Sequence, residues 1–223
     1  MNGQPGLFVS FDGPGGSGKS TVVALVRTRL ENRGLVVHMT SEPSPTPLGQ
    51  LIRAGTDEYA GMALACLVAG DRHHHLSAEI QPALAAGQIV ICDRYLPSSL
   101  VLQRMDEISW DVIMQLNHGA DRPDLAVILN GDPAVIATRL AARGGHSRFE
   151  RRPGSSQAES GLYSDTVARL AGDGWLAWTI DITAHDADEA AMMVASRIVA
   201  LRADENRSRN EPARSVRADV QHR

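Results

Sequence analysis

Gly13-Pro14-Gly15-Gly16-Ser17-Gly18-Lys19-Ser20 is a glycine-rich loop that closes on a lysine and a hydroxyl residue. Gly13 and Gly18 permit a tight turn in which backbone N–H groups converge on phosphate oxygens. Lys19 then reaches the outer phosphates, and the Ser20 hydroxyl ligates magnesium at the start of a helix. Context gives the match its weight: Leu7 to Phe11 is a short apolar run ending at Asp12, and Ser20 to Leu30 has helical spacing and ends near Gly34. The loop therefore joins a strand to a helix, as the mechanism requires. The residues expected to hold the phosphates of ATP with Mg2+ are Gly13, Pro14, Gly15, Gly16, Ser17, Gly18, Lys19, Ser20 and Thr21.

Working outward, Leu35 to Thr40, Ile89 to Cys92, Leu125 to Leu129 and Trp175 to Ile182 read as four further strands. Between them lie helical stretches: Leu48 to Ala86 with breaks near Gly55, Gly61 and Gly70, then Ser109 to His118, Ala134 to Arg143, Ser164 to Leu170 and Asp186 to Leu201. Asp132-Pro133 supplies an N-cap and a proline at the first helical position. Strands that are apolar throughout and alternate with helices form a parallel sheet covered on both faces. The expected fold is α/β, of the P-loop NTPase type: three layers, α/β/α, around a five-stranded parallel sheet, with a short lid at about 144–156.

A chain of 223 residues with 43% hydrophobic content supports one domain, placed at 1–203. Beyond Ala203 the sequence turns polar and mixed in charge, so 204–223 reads as a disordered tail. A net charge of -4 argues against nucleic acid as a bulk electrostatic partner and leaves small molecules. Met1 to Pro5 lacks a basic and apolar leader, and no apolar stretch is long enough to span a membrane, so a cytoplasmic location is expected. With two cysteines, Cys66 and Cys92, no disulfide framework is expected, and both read as core thiols. His73-His74-His75 point about 100 degrees apart on a helix and do not converge on one ion. Trp175 and Trp178 read as packing residues.

The loop by itself leaves ATPase, GTPase and kinase open. No guanine-reading Asn-Lys-x-Asp segment is present. Other segments add to the reading: Thr40-Ser41-Glu42-Pro43 leading to Thr46-Pro47-Leu48-Gly49, Asp71-Arg72, Ile80 to Gly87, Asp93-Arg94-Tyr95 followed by Ser98-Ser99 and Gln103, and Arg122-Pro123-Asp124-Leu125. In this order, over about residues 7 to 200, they resemble the thymidylate kinase family. The resemblance implies ATP-dependent phosphoryl transfer to a nucleoside monophosphate, dTMP in the family's own case, by a homodimer. Arg94 matches the arginine that binds the acceptor phosphate, and Arg72 the one that approaches the base and that phosphate. Glu42, Pro43, Val68, Ser99, Leu102 and Gln103 fall on the acceptor site, and Asp93 with Ser20 on the magnesium site.

Arg148-Phe149-Glu150 matches the family's lid motif, within a cluster of Arg139, Arg143, Arg148, Arg151 and Arg152. Guanidinium groups suit a charge-spread phosphoryl transition state. Gly16 stands where one branch carries an arginine in the loop, so the lid must supply the cation. Lys19, Arg94, Arg143 and Arg148 are the expected catalytic residues. Four departures fall on the acceptor side: Gly15 replaces an acidic residue, Ser41 an arginine, Val68 a phenylalanine and Leu102 a tyrosine. Loss of two aromatic platforms points to a different phosphorylated acceptor as the alternative to dTMP. A nucleotide-binding protein without catalysis is the rival class.

Overall fold

The computed structural model describes residues 6–145 and 147–210. Five strands are formed: β1 (Leu7–Asp12), β2 (Val37–Ser41), β3 (Ile89–Asp93), β4 (Leu125–Asn130) and β5 (Ala177–Asp181). They pair in the order β2-β3-β1-β4-β5, all parallel. Every residue of β1 and β4 is buried, whereas edge strands β2 and β5 are mostly half-buried or exposed. That is why the central strands read as near-continuous apolar runs, with the buried Ser10 of β1 donating to Asp12 at 2.9 Å.

The side chains of the central strands alternate between two cores. Leu7, Val9, Phe11, Ile89, Ile91, Leu125, Val127 and Leu129 enter one, with Val22, Val26 and Leu30 of α1 (Lys19–Glu31) and Ala191, Val194 and Ile198 of α10 (Ala187–Asn210). Phe8, Val90, Cys92, Ala126 and Ile128 enter the other. It is closed by Leu96 and Leu100 of α5 (Leu96–Leu102), Ile113 of α6 (Trp110–Leu116), and Tyr163 and Leu170 of α9 (Ser155–Gly172). The period of two along each strand thus makes the three layers. Each fully buried Val, Leu or Ile contributes on the order of 1.5–3 kcal/mol.

The remaining helices fill the connections between strands. α2 (Pro47–Ala54) is capped by the Thr46 side chain on the Gly49 N–H, and α3 (Gly61–His75) leads through a π-helical turn, Leu76–Ile80, into α4 (Gln81–Ala85). α7 (Pro133–Arg143) starts at Asp132, whose carboxylate accepts the Ala134 N–H at 2.8 Å. The lid segment contains α8 (Arg148–Arg151).

Several expectations change. Gly70 interrupts nothing: α3 runs through it, and a Cβ there would make ordinary contact with Leu48. α5 was not expected; its proline lies in the first turn, where it tolerates helix well. α9 begins at Ser155 rather than near Ser164, so part of the glycine-rich stretch is helical. α10 continues past Leu201 to Asn210, and 211–223 lie outside the described residues. Cys92 is buried as expected, but Cys66 is exposed on α3. Trp175 packs in the second core and Trp178 against the first. Among the described residues no helix is long and apolar enough to cross a membrane.

Candidate active site

The chain turns from one side of the sheet to the other around β1, and the site lies beyond the carboxyl ends of β1 and β3, where open α/β sheets collect ligands. Asp12 ends β1 and is fully buried. It accepts the Tyr95 and Ser98 N–H groups at 2.9 and 3.0 Å and the Ser98 hydroxyl at 2.7 Å. Burial raises its pKa above the ordinary carboxylate value, although these donors pull the other way. Asp12 therefore ties the end of β1 to the segment that follows β3, and so fixes Arg94 between them.

The phosphate loop depends on its glycines. A Cβ on Gly13, whose φ is 146°, would lie 2.2 Å from the Leu129 carbonyl oxygen; Gly18, φ 82°, caps α1 in the left-handed region. Lys19 is folded against the loop, donating to the carbonyls of Gly13 at 2.7 Å and Pro14 at 2.9 Å. Burial and then the charge of Arg94 lower its pKa to about 7. A cleft of about 460 Å³ opens over Gly16, Gly18, Lys19, Ser20 and Thr21, with Asp93, Arg94, Arg139 and Arg143. The Ser20 hydroxyl donates to Asp93 Oδ2 at 3.2 Å, while Asp93 Oδ1 is buried without a hydrogen-bond partner among the described residues. Two hard oxygen donors side by side, one with unsatisfied capacity, fit a magnesium ion.

A second cavity, of about 390 Å³, adjoins the first. Its apolar wall carries Ile52, Leu64, Val68, Leu102 and the lid residue Phe149; its polar wall carries Glu42, Arg72, Arg94, Ser99, Gln103 and Glu159. Pro43 and Arg53 complete its rim. Arg72 is buried and donates to Glu42 at 2.9 and 2.6 Å, to Ser99 at 2.8 Å and to Asn117. Burial opposes its charge, but Glu42 offsets that and the pKa is raised. Arg72 thus stiffens the wall while facing the cavity. The Oε1 of buried Gln103 lacks a hydrogen-bond partner among the described residues.

Arg94 joins the two cavities. It lines both, its φ of 71° is in the left-handed region, and its Nη1 is buried without a hydrogen-bond partner among the described residues. A non-glycine residue held in that conformation costs on the order of 1 kcal/mol or more and persists where its surroundings impose it. A buried donor in want of an acceptor, at the meeting point of a phosphate loop and a second pocket, is a seat for an anion.

The lid arginines divide. Arg143 lines both cavities and Arg139 the phosphate cleft. Arg148, expected at the reacting phosphate, lines neither: it pairs with Asp106, which also holds Arg152 at 3.0 Å. Arg151 pairs with Asp57. The Asp106 carboxylate, almost wholly buried, also accepts the Gly61 N–H at 3.3 Å. These ion pairs, with Phe149 seated beside Ile52 and Leu64, fasten the lid over the second cavity.

Glu159 was missed from the sequence. It is buried on α9, accepts the Gly15 N–H at 3.2 Å and lines the second cavity. Burial raises its pKa against the pull of Arg94. The signal was available: Glu159, Tyr163, Thr166 and Leu170 form one buried stripe at helical spacing, and a carboxylate interrupts it.

The chain matches the thymidylate kinase family model over residues 11–174. It is 40% identical to a probable thymidylate kinase of Caldivirga maquilingensis over 149 residues, covering 65% of this chain and 73% of that relative. To a probable thymidylate kinase of Pyrococcus abyssi it is 40% identical over 154 residues, covering 66% and 75%. To a thymidylate kinase of Bifidobacterium longum it is 42% identical over 147 residues, covering 60% and 71%.

Proposed function

The chain belongs to the thymidylate kinase family and is a nucleoside monophosphate kinase, and from that premise we propose that it transfers the γ-phosphoryl group of ATP to dTMP, giving dTDP and ADP. The observation that carries this reading is Arg94, whose unpartnered Nη1 lies where the phosphate-loop cleft and the second cavity meet. ATP phosphates would take the cleft over Gly13 to Thr21, and the acceptor the cavity beside it. Lys19 would exchange the carbonyls of Gly13 and Pro14 for the β- and γ-phosphates. Ser20 and Asp93 would hold magnesium, which when bound neutralises phosphate charge.

Arg94 would grip the acceptor phosphate and aim one of its oxygens at the γ-phosphorus. As that oxygen bonds to phosphorus, the bond to the ADP oxygen breaks in line, and Arg143 with Lys19 balances the spreading charge. An ionised phosphate needs no general base. The closed lid excludes water, which would otherwise compete as acceptor. Catalysis on this account is orientation and electrostatics.

One observation favours a second acceptor. Val68 and Leu102 are aliphatic where they line the cavity, whose aromatic rings come from Phe149 of the lid and from Tyr95 just after β3. A phosphorylated acceptor other than dTMP, such as a ribonucleotide or a modified nucleotide, is the second reading. ADP release measured with a panel of deoxy- and ribonucleoside monophosphates tests both. Fastest turnover with dTMP supports the first, a different preferred monophosphate the second, and ADP release independent of any acceptor removes both. Homodimer formation and a cytoplasmic location remain part of the proposal.

A further inference from the structure

Position 15 and the lid are shaped for one another. A Cβ on Gly15 would stand 2.4 Å from Glu150 Oε1 and 2.7 Å from its Cδ and Cγ, closer than real contacts allow. The Glu150 side chain therefore fills the volume that any side chain at position 15 would need. Its backbone is held on both sides: the Glu150 N–H donates to the Ser147 hydroxyl at 3.3 Å, and the Ser155 hydroxyl donates to the Glu150 carbonyl at 3.1 Å. Glu159 in turn accepts the Gly15 N–H at 3.2 Å. Seated on the loop, Glu150 Oε2 accepts from Arg143 Nη2 at 2.8 Å.

Among the described residues, Arg143 and Arg94 are the two that line both cavities. Arg94 is placed by the strand end and by Asp12, whereas Arg143 ends α7 with 43% of its side chain exposed. A long side chain so exposed needs a partner to hold one geometry, and an ion pair with one exposed member adds little to stability. The value of the pair lies in where it puts the guanidinium.

We infer that Glu150 is the positioning residue for Arg143, and that Gly15 is the vacancy in the loop that lets the lid deliver it. The sequence resemblance puts an acidic residue at position 15; here the carboxylate over the loop rides on the lid. The arginine is thus aligned only when the lid is down. This inference rests on the phosphoryl-transfer reading above.

Steady-state kinetics of Gly15→Ala, Glu150→Ala, Arg143→Ala and the pairwise double variants test it. Gly15 needs no left-handed φ, so alanine there conflicts with Glu150 rather than with its own backbone. Gly15→Ala and Glu150→Ala should each lower kcat roughly tenfold to a hundredfold, with smaller changes in both KM values. In the Glu150→Ala background, Gly15→Ala and Arg143→Ala should each add almost nothing. Glu150→Gln, which keeps the shape and one acceptor oxygen, should recover part of the loss.

Additive costs in the double variants would overturn the inference while leaving the kinase reading intact. So would a Glu150→Ala enzyme that changes only KM. A wild-type chain that releases no acceptor-dependent ADP would overturn both.

Discussion

The phosphate loop and the acceptor cavity meet at Arg94 but are made of different materials. The loop is backbone, folded by Gly13 and Gly18 and braced by strands buried on both faces. The cavity is side chain, assembled from α2, α3, α5 and the lid, and closed by Phe149 and the Asp106 ion pairs. A backbone cradle tolerates one solution, because each N–H must point inward and each glycine has a steric reason. A side-chain wall has many solutions of similar energy, so it can be retuned without disturbing the sheet.

The largest expected effect comes from removing the cation of the loop. Lys19→Ala should lower kcat about a thousandfold, since a preorganised cation in a water-poor site acts at full strength on charge that develops in transfer. Thermal stability should change little, because among the described residues Lys19 makes its hydrogen bonds to the loop. Comparison of kcat and melting temperature checks it; an enzyme with a tenth of wild-type kcat would refute a catalytic role for the loop lysine.

Arg94→Lys comes next, because the residue belongs to both halves. It keeps charge and the strained backbone but loses the fork. kcat/KM for the acceptor should fall roughly a hundredfold, with the Kd for ATP alone nearly unchanged. Equal losses for acceptor and ATP binding would place Arg94 with the loop instead.

The same contrast explains what the sequence disclosed. The loop, the alternation of strands and helices, the Asp132 cap and the segment at Arg94 rest on local rules: glycine spacing, period and capping. All were legible. The lid was legible only as a cluster of arginines, and the choice among them was not. Arg148 and Arg143 are five residues apart; which one faces the cleft depends on Asp106, far along the chain and buried by its tertiary neighbours. Nothing in the local sequence marks Asp106 as the acceptor of two guanidinium groups. Glu159 and the fit of Glu150 on Gly15 are likewise products of the fold, since both join segments more than 130 residues apart.

The lid itself should yield an intermediate effect. Asp106→Asn removes the charge that holds Arg148 and Arg152, and hydrogen bonds to charged groups contribute about 1.5–3 kcal/mol. The acceptor KM should rise about tenfold or more. Burial alone would raise the Asp106 pKa, but Arg148, the Gly61 N–H and Arg152 outweigh it and the value is lowered. A depressed carboxylate stabilises the closed lid above its ordinary pKa and loses that contribution as pH falls through the depressed value. The acceptor KM should therefore show no step from Asp106 above about pH 5; a step near neutrality that disappears in Asp106→Asn would show that this carboxylate titrates there.

The smallest effect belongs to the apolar wall, and its sign carries the information. Val68 lies beside Leu64 and Phe149 in that wall, half-buried, four residues before Arg72 on the same face of α3. Val68→Phe offers a flat surface to whatever ring occupies the cavity, worth about 0.5–1.5 kcal/mol beyond area burial. If dTMP is the acceptor, its KM should fall roughly threefold to tenfold while the KM for ATP holds, because the change lies outside the phosphate cleft. A larger ring would need the volume that valine leaves open, so for a bulkier acceptor the same substitution raises KM. Measuring KM for dTMP and for a purine monophosphate on the wild type and on Val68→Phe separates the cases. A fall for dTMP with a rise for the purine fixes the wall as the place where the base is read. If neither value moves, the ring does not lie against α3, and the polar wall at Gln103 becomes the remaining place for its recognition.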